Sequence, residues 1–530
     1  MSLPRNVGTI GGLTAISRLF GFVRDMLLAR VLGAGLAADA FQLAFVLPNT
    51  FRRLFAEGAF SVAFVPMYTR ALGLGEAAAE RFAADVLSVF VWALLAFSAV
   101  AMLAMPTVVW LLAGEYQQVP GKFELAVTLS RVTFPYLGLV SLVAMLSGVL
   151  NAHARFAPGA FVPVLLNLVL IAGIVTGYAL RESGRGDDVT VAWSIAIAVM
   201  AAGVAQLAYM AWATRKAGVR IAITAPRLTP EVRRLARLIV PATFGAGIYQ
   251  ISQFVDTFFA TSLAQGSLTL LKYADRLNQM PLGIVGIALG TAILPMLARH
   301  IQADDHAGAQ ALQTNAVEMA TLLTLPAAAA LSVCAPAFVT AFFVGGKMTQ
   351  GQGDVMAAIV AALVCGLPAY VLVKVFQPAF FSREDTRTPV WIASAALVIN
   401  IAVNVAVVPR YGIVGLAGAT AFTSTLNVLA LYAVLHRRGW FRATWRLISR
   451  ILRQLASAGV MAIALWALLP LLAHHYAGSA VERIGALSLL VATGGAVFFA
   501  AAWLTGALDK GHLAQLRRRR PAAEPVNFSE

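Results

Sequence analysis

Long apolar runs separated by short polar connections set the pattern of this chain. Fourteen runs reach or exceed the roughly 20 residues that an α-helix needs to cross a bilayer. They lie near 8–32, 36–66, 82–113, 124–151, 158–180, 189–214, 234–263, 267–298, 315–343, 354–381, 388–408, 412–436, 447–473 and 482–507. Several are longer than the minimum, which tilt or extension past the hydrocarbon accommodates. The pattern predicts an all-α polytopic membrane protein with 14 transmembrane helices. Because the first run is long, glycine-rich, interrupted by charge and followed by further spans, it is expected to stay as a helix and not be removed as a signal peptide.

The connections are unequal in charge. Counted from the N-terminus, the odd ones hold only Lys122, Arg181, Arg185, Lys347, Arg410 and Arg483. The even ones and the two ends hold the rest, including Arg70, Arg81, Arg155, the arginines of 215–237 and of 437–453, and the tail Arg517–Arg520. Basic residues accumulate on the cytoplasmic side, so both termini are expected there, as an even number of spans requires.

Short segments recur about 230 residues apart and in the same order: FVPMYTR at 64–70 and ILPMLAR at 293–299, ISR at 16–18 and ISQ at 251–253, RFAP at 155–158 and TRTP at 386–389. This predicts two six-helix repeats. Six is even, so the second enters with the orientation of the first and the repeats are parallel, with substrate at their interface. The expected division is an N-lobe over 1–222, a C-lobe over 223–440, two extra C-terminal helices over 441–508 and a basic cytoplasmic tail over 509–530.

Composition agrees with a membrane solvent: 60% hydrophobic, 12% charged, mean hydropathy +0.79. The net charge of +16 lies in loops between apolar runs, so topology and anionic membrane lipids account for it and no nucleic-acid partner is predicted. Cys334 and Cys365 sit in separate apolar runs without metal-ligand spacing. There is no GxxxxGK[ST] loop, HExxH or CxxC. Neither an enzyme, a resident metal nor a cofactor is expected.

The candidate chemistry lies in the first two runs, which carry Arg18, Arg24, Asp25, Asp39, Arg52, Arg53 and Glu57. An ionised group costs roughly 2.5–3.5 kcal/mol at the centre of a membrane helix on insertion scales, so such groups face protein or a wet cavity. Gly21, between the charged positions, marks a bend or break, since glycine costs about 1 kcal/mol relative to alanine in a helix. Pro48 interrupts the second run one turn before Arg52 and frees backbone groups that need local partners.

Two readings stand side by side. Arg18 or Arg24 pairs with Asp25 or Asp39 and holds two helices together; or the arginines outnumber the acids and line an anion-binding chamber. Arg53 and Glu57 can satisfy each other at i, i+4, which leaves Arg18, Arg24 and Arg52 against Asp25 and Asp39. In the eighth run Lys272 can reach Asp275, leaving Arg276 for a ligand. A guanidinium fork suits the oxygens of phosphate or pyrophosphate. Asp256, Asn400, Asn404, Thr420 and Thr423 form either a small oxygen-lined cation site or ordinary interhelical hydrogen bonds. Lys374 and Arg131 are further intramembrane cations that face a cavity or snorkel.

The segments SRLFGFVRD at 17–25, ADAF at 38–41, LPNTFRRLFAEGAFSVAFVP at 47–66 and YADRLNQMPLGIVGIALGTAILP at 273–295 resemble the MurJ (MviN) family of bacterial lipid II flippases, within the multidrug/oligosaccharidyl-lipid/polysaccharide exporter superfamily. The resemblance covers essentially the whole chain. It implies two lobes rocking about a central cationic cavity, a lipid-tail groove on the last two helices, and an inner-membrane location. The implied partner is lipid II, the undecaprenyl-pyrophosphate-linked disaccharide-pentapeptide, moved from the cytoplasmic to the outer leaflet; cell-wall synthesis proteins are candidate partners. The family's functional arginines fall on Arg18, Arg24, Arg52 and Arg276, and Asp39 matches a family acid near the inward-facing portal. Some members carry an acid in the eleventh helix where this chain has Asn400 and Asn404. The alternatives are a flippase for another polyprenyl-pyrophosphate-linked oligosaccharide and a non-transporting scaffold of cell-wall assembly.

Overall fold

The structure, a computed structural model, describes residues 3–52, 60–222, 224–476 and 478–508. Arg53, Glu57 and the tail arginines Arg517–Arg520 lie outside the described residues. In chain order the helices are α1 (Leu3–Leu32), α2 (Leu36–Arg52), α3 (Phe60–Gly73), α4 (Glu76–Ala113), α5 (Lys122–Thr133), α6 (Tyr136–Ala152), α7 (Ala157–Glu182) and α8 (Asp188–Lys216). They continue with α9 (Pro230–Thr261), α10 (Ser267–Gln302), α11 (His306–Phe342), α12 (Gln350–Val364), α13 (Leu367–Phe381), α14 (Arg387–Arg437), α15 (Trp445–Tyr476) and α16 (Ala480–Leu504). Among the described residues the only extended pairing is an isolated bridge between Gly345 and Met348.

Nine helical stretches among the described residues are long and apolar enough to cross a membrane. The chain is thus an all-α polytopic membrane protein. Helices α1, α2, α3, α9 and α10 are not among these stretches; α2 and α3 have 17 and 14 described residues.

Breaks fall where the backbone chemistry puts them. The apolar run 124–151 is two helices because Pro135 lacks the N–H that would continue α5, and α6 starts after it. The run 354–381 divides in the same way ahead of Pro368, which occupies the first turn of α13. α14 kinks at Gly412, whose φ of 55° and ψ of −139° suit a residue without a Cβ, so the polar boundary read between 408 and 412 is real. α1, by contrast, runs unbroken through Gly21, against the expected break.

Prolines recur at the spacing of the matched segments. Pro48 and Pro281, Pro66 and Pro295, Pro106 and Pro336, Pro135 and Pro368, and Pro158 and Pro389 are each separated by about 230 residues, and the first three pairs all lie inside helices.

Contacts divide the chain into two units. The first comprises Met1–Leu277, Phe342–Ile359 and Val390–Thr423; the second comprises Asn278–Ala341, Val360–Pro389 and Ser424–Glu530. In the first unit α3 packs on α4 through stacked rings: Phe60 lies 4.7 Å from Phe90 and 5.1 Å from Phe64, which stacks on Phe82 at 5.9 Å. In the second, α15 packs along α16, and Arg450 reaches from α15 to the buried Glu318 of α11 at 2.7 and 2.8 Å.

Candidate functional site

Two clusters hold several of the intramembrane charges of the first unit. In the first, Asp25 of α1 takes two guanidinium groups. Arg24 donates from Nε at 2.9 Å and Nη2 at 2.6 Å to Oδ1, and Arg276 of α10 donates from Nε at 2.5 Å to Oδ2. The charge count had left both arginines unpaired; the fold corrects it, because one carboxylate serves both. Two guanidinium groups thus share one carboxylate, with Asp275 acting on Arg276 as well, and Arg24 and Asp25 are buried.

Asn167 of α7 holds this group in place. Its Oδ1 accepts from Arg24 Nη1 at 2.9 Å and its Nδ2 donates to the Ser17 carbonyl at 3.0 Å. Gly21 lies against this amide: a Cβ there would stand 3.5 Å from Asn167 Nδ2, an ordinary van der Waals contact. Arg18 is exposed and has no ion-pair partner among the described residues. Arg52 closes α2, half-buried, with Nε and Nη2 on Asn49 Oδ1 at 3.2 and 3.1 Å.

The second cluster centres on Asp39, which does not pair with the arginines. Its Oδ2 accepts from Lys122 Nζ at 2.8 Å and the Gly266 N–H at 2.7 Å; its Oδ1 accepts from the Thr269 N–H at 3.1 Å and Thr269 Oγ1 at 2.7 Å. The first N–H groups of a helix have no partner within it. Asp39 of α2 therefore caps the start of α10 from another helix, and its charge is favourable at that positive end.

Around this cap the α1–α2 turn is clasped by other connections. Lys347 N–H donates to the Arg30 carbonyl at 2.8 Å, Arg30 Nε to Phe342 O at 3.1 Å, and Gln352 Nε2 to Ala34 O at 2.9 Å. Arg181 Nη1 reaches Val31 O at 2.6 Å and Asp188 at 2.9 Å, and Lys347 reaches Asp188 at 3.1 Å. Backbone meets backbone at Gly33 and Gly346, with φ of 65° and 59°: a Cβ on Gly33 would lie 2.6 Å from Lys347 O, and one on Gly346 would strike Arg30 O. Among the described residues these contacts join odd-numbered connections, and three of their six basic residues, Lys122, Arg181 and Lys347, take part.

Prolines explain two further partners. Pro48 has no N–H for the carbonyl four residues back, and Thr133 Oγ1 donates to that Ala44 carbonyl at 2.8 Å. Pro106 likewise frees Met102 O, which takes Arg131 Nε at 3.0 Å. Arg131, left open by the sequence, supplies the donor that Pro106 cannot.

Of the candidate cation-site residues, Thr420 lies within hydrogen-bonding reach of Asp256, whose charged neighbours are Lys272 and Asp275. Asn404 Nδ2 donates to Asn400 Oδ1 at 3.0 Å, and Asn400 Nδ2 to Thr423 Oγ1 at 3.2 Å. Asp256 Oδ1 and Asn404 Oδ1 are buried without a hydrogen-bond partner. In the second unit Lys374 of α13 lies along Gly286 and Gly290 of α10. No group of three His, Cys, Asp or Glu side chains among the described residues could hold a metal ion.

Sequence reasoning missed Asn167, Lys122, Thr269 and Thr133. A position four residues before an intrahelical proline is a usable signal that a donor must exist. Nothing in the chain says which residue supplies it.

Such a fold and site define a polytopic α-helical membrane protein that keeps paired charges inside its helices. The family profile described as lipid II flippase MurJ matches residues 28–485, and the chain belongs to that family. A relative from Rhizobium meliloti (strain 1021), named "Probable lipid II flippase MurJ", is 41% identical, with 99% of this chain and 98% of the relative covered. A solved structure described as "Lipid II flippase MurJ, inward closed conformation" superposes with a TM-score of 0.76 at 20% identity, covering 96% of this chain and 99% of that one. The fold extends to an inward-facing multidrug resistance MATE family transporter of the MOP superfamily, with a TM-score of 0.66, 13% identity and 80% and 94% coverage.

Proposed function

We propose that this chain is a lipid II flippase that moves the undecaprenyl-pyrophosphate-linked peptidoglycan precursor from the cytoplasmic to the outer leaflet of the inner membrane by alternating access. The observation that carries the reading, beside family membership, is the pairing of the buried Arg24 and the partly exposed Arg276 on the single carboxylate of Asp25. An incoming pyrophosphate competes with the Asp25 carboxylate for the same two guanidinium forks, and each oxygen it offers replaces a hydrogen bond that Asp25 gives up. Arg18 and Arg52 complete the anion site, and the lipid tail stays in hydrocarbon.

In this reading fourteen spans place both termini in the cytoplasm. An N-lobe over 1–222 and a C-lobe over 223–440 rock about the site, and 441–508 guides the tail. Asp39 and its partners shut the outer end while cargo loads. Outward movement of negative charge is favoured by an inside-negative potential, at roughly 2.3 kcal/mol per charge per 100 mV. The emptied cationic site is drawn back by the same field. Asp256, Asn400, Asn404 and Thr420 are the residues that would hold a coupling cation, although the Lys272 ammonium already sits beside Asp256.

The test is complementation of a bacterium depleted of its own lipid II flippase, with Arg18→Ala, Arg24→Ala, Arg52→Ala and Arg276→Ala compared at matched membrane levels. Rescue by the parent alone is expected. A parent that inserts but does not rescue overturns the cargo, and four rescuing variants overturn the site. In proteoliposomes, transport that is indifferent to the sign of the potential overturns the driving force.

A further inference from the structure

Two loops of the second unit meet at the ends of membrane helices: SREDTRTP after α13 and HRRGWFRATW after α14. Trp440 is the piece they share. The Arg383 guanidinium carbon stands 4.7 Å from its ring centroid, and that of Arg438 also stands at 4.7 Å. Phe380 meets the indole edge-on at 5.8 Å. The ring is thus a fixed platform with two cations on it.

The two cations differ. Arg438 is neutralised, with Nη1 on Asp385 Oδ2 at 2.5 Å and Nη2 on Thr388 Oγ1 at 3.1 Å. Arg383 is not: it is half-buried, its Nη1 donates to the Ala379 carbonyl at 2.8 Å, and no carboxylate among the described residues lies within ion-pair distance of it. Burial lowers its pKa from the ordinary guanidinium value, with no opposing acid to raise it again. A half-desolvated guanidinium stacked on an aromatic face and lacking a counter-ion is a site one anion short.

The geometry points to a docking site for the phosphate headgroup of an anionic phospholipid at Arg383, on the Trp440 platform. A lipid and not a free anion is the fitting occupant because the site lies at helix ends where apolar surface continues. Phe381, two residues before Arg383, is 40% exposed, and Trp445, at the start of α15, is 76% exposed; exposed indoles favour the boundary between headgroup and hydrocarbon. A guanidinium fork takes two oxygens of one phosphodiester. The site is independent of the transported cargo, so it stands or falls apart from the flippase reading.

Native mass spectrometry of the full chain, released from nanodiscs of phosphatidylcholine with phosphatidylglycerol, reads it directly. Arg383→Gln is expected to lower retained phosphatidylglycerol roughly fivefold or more, the equivalent of about 1 kcal/mol for a basic residue at a charged surface. Arg437→Gln, an exposed position with the same charge change, is expected to leave retention near the parent. Arg383→Lys, which keeps the charge but loses the fork, should fall between them. Retention of phosphatidylcholine should not change, and millimolar inorganic phosphate should not displace the lipid. Equal losses in Arg383→Gln and Arg437→Gln would mean diffuse attraction and overturn the site. Displacement by inorganic phosphate would overturn the lipid as occupant.

Discussion

Lys122 Nζ lies 2.8 Å from Asp39 Oδ2, with both side chains almost wholly withdrawn from solvent. Residues 83 positions apart in the chain form an ion pair whose acid also caps α10. Removing one partner strands the other, at about 3–5 kcal/mol for a buried pair. Asp39→Asn and Lys122→Met should therefore each lower the thermal unfolding midpoint in detergent, and the double variant should lose less than the two added together. Strict additivity would show that the two charges do not depend on each other.

Thr133 should be tied to Pro48 through one carbonyl. Thr133→Val keeps the shape and removes the donor to Ala44 O, with an expected loss of about 1–3 kcal/mol, whereas Thr133→Ser should stay close to the parent. In a Pro48→Ala background the helix regains its own N–H for Ala44 O, so Thr133→Val should then cost much less. An unchanged cost in that background would sink the link.

The glycine seam at the α1–α2 turn admits no side chain. Gly346→Ala should loosen it, since a Cβ there meets Arg30 O, while Gly351→Ala, with nothing within 4 Å, should not. The readout is labelling of a cysteine at Ala34, 4% exposed in the closed seam, by a membrane-impermeant maleimide in a chain without Cys334 and Cys365. Faster labelling in Gly346→Ala alone is expected; equal rates in both variants would remove the seam as a barrier.

Asp385 gives a pH dependence outside the membrane helices. Burial pushes its carboxyl up, but hydrogen bonds from the Thr388 side chain and backbone and from Arg438 outweigh that and hold it at about 2, against an ordinary 3.8. A depressed pKa contributes stability that is complete above the unfolded value and lost as pH falls through the folded one. Stability should decline between about pH 4 and pH 2, and Asp385→Asn should flatten that limb in unfolding measured against pH. A limb identical in the variant would assign the effect elsewhere.

The helices were legible because hydrocarbon demands long apolar runs. The splits at Pro135 and Pro368 were not, since apolar character continues through both positions while the backbone does not. Charge was readable as a signal of an interior, yet its pairing was misread: i, i+4 arithmetic sees only neighbours along one helix. Asp25 collects one arginine from its own helix and another 251 positions away. Lys122 looked like a loop cation obeying a topology rule, and only the fold shows that Asp39 claims it.

The Arg131–Met102 contact has a bearing on how arginine scans of such proteins are interpreted. A cation inside a membrane helix invites the inference that it greets an anionic cargo, and loss of activity on its replacement would be scored that way. Here the guanidinium answers a proline on the neighbouring helix by filling a vacancy in its ladder of amides. An Arg131→Ala variant that fails would report a changed bend in α4, and Pro106→Ala would repair it; no arginine that contacts cargo can be rescued by deleting a proline.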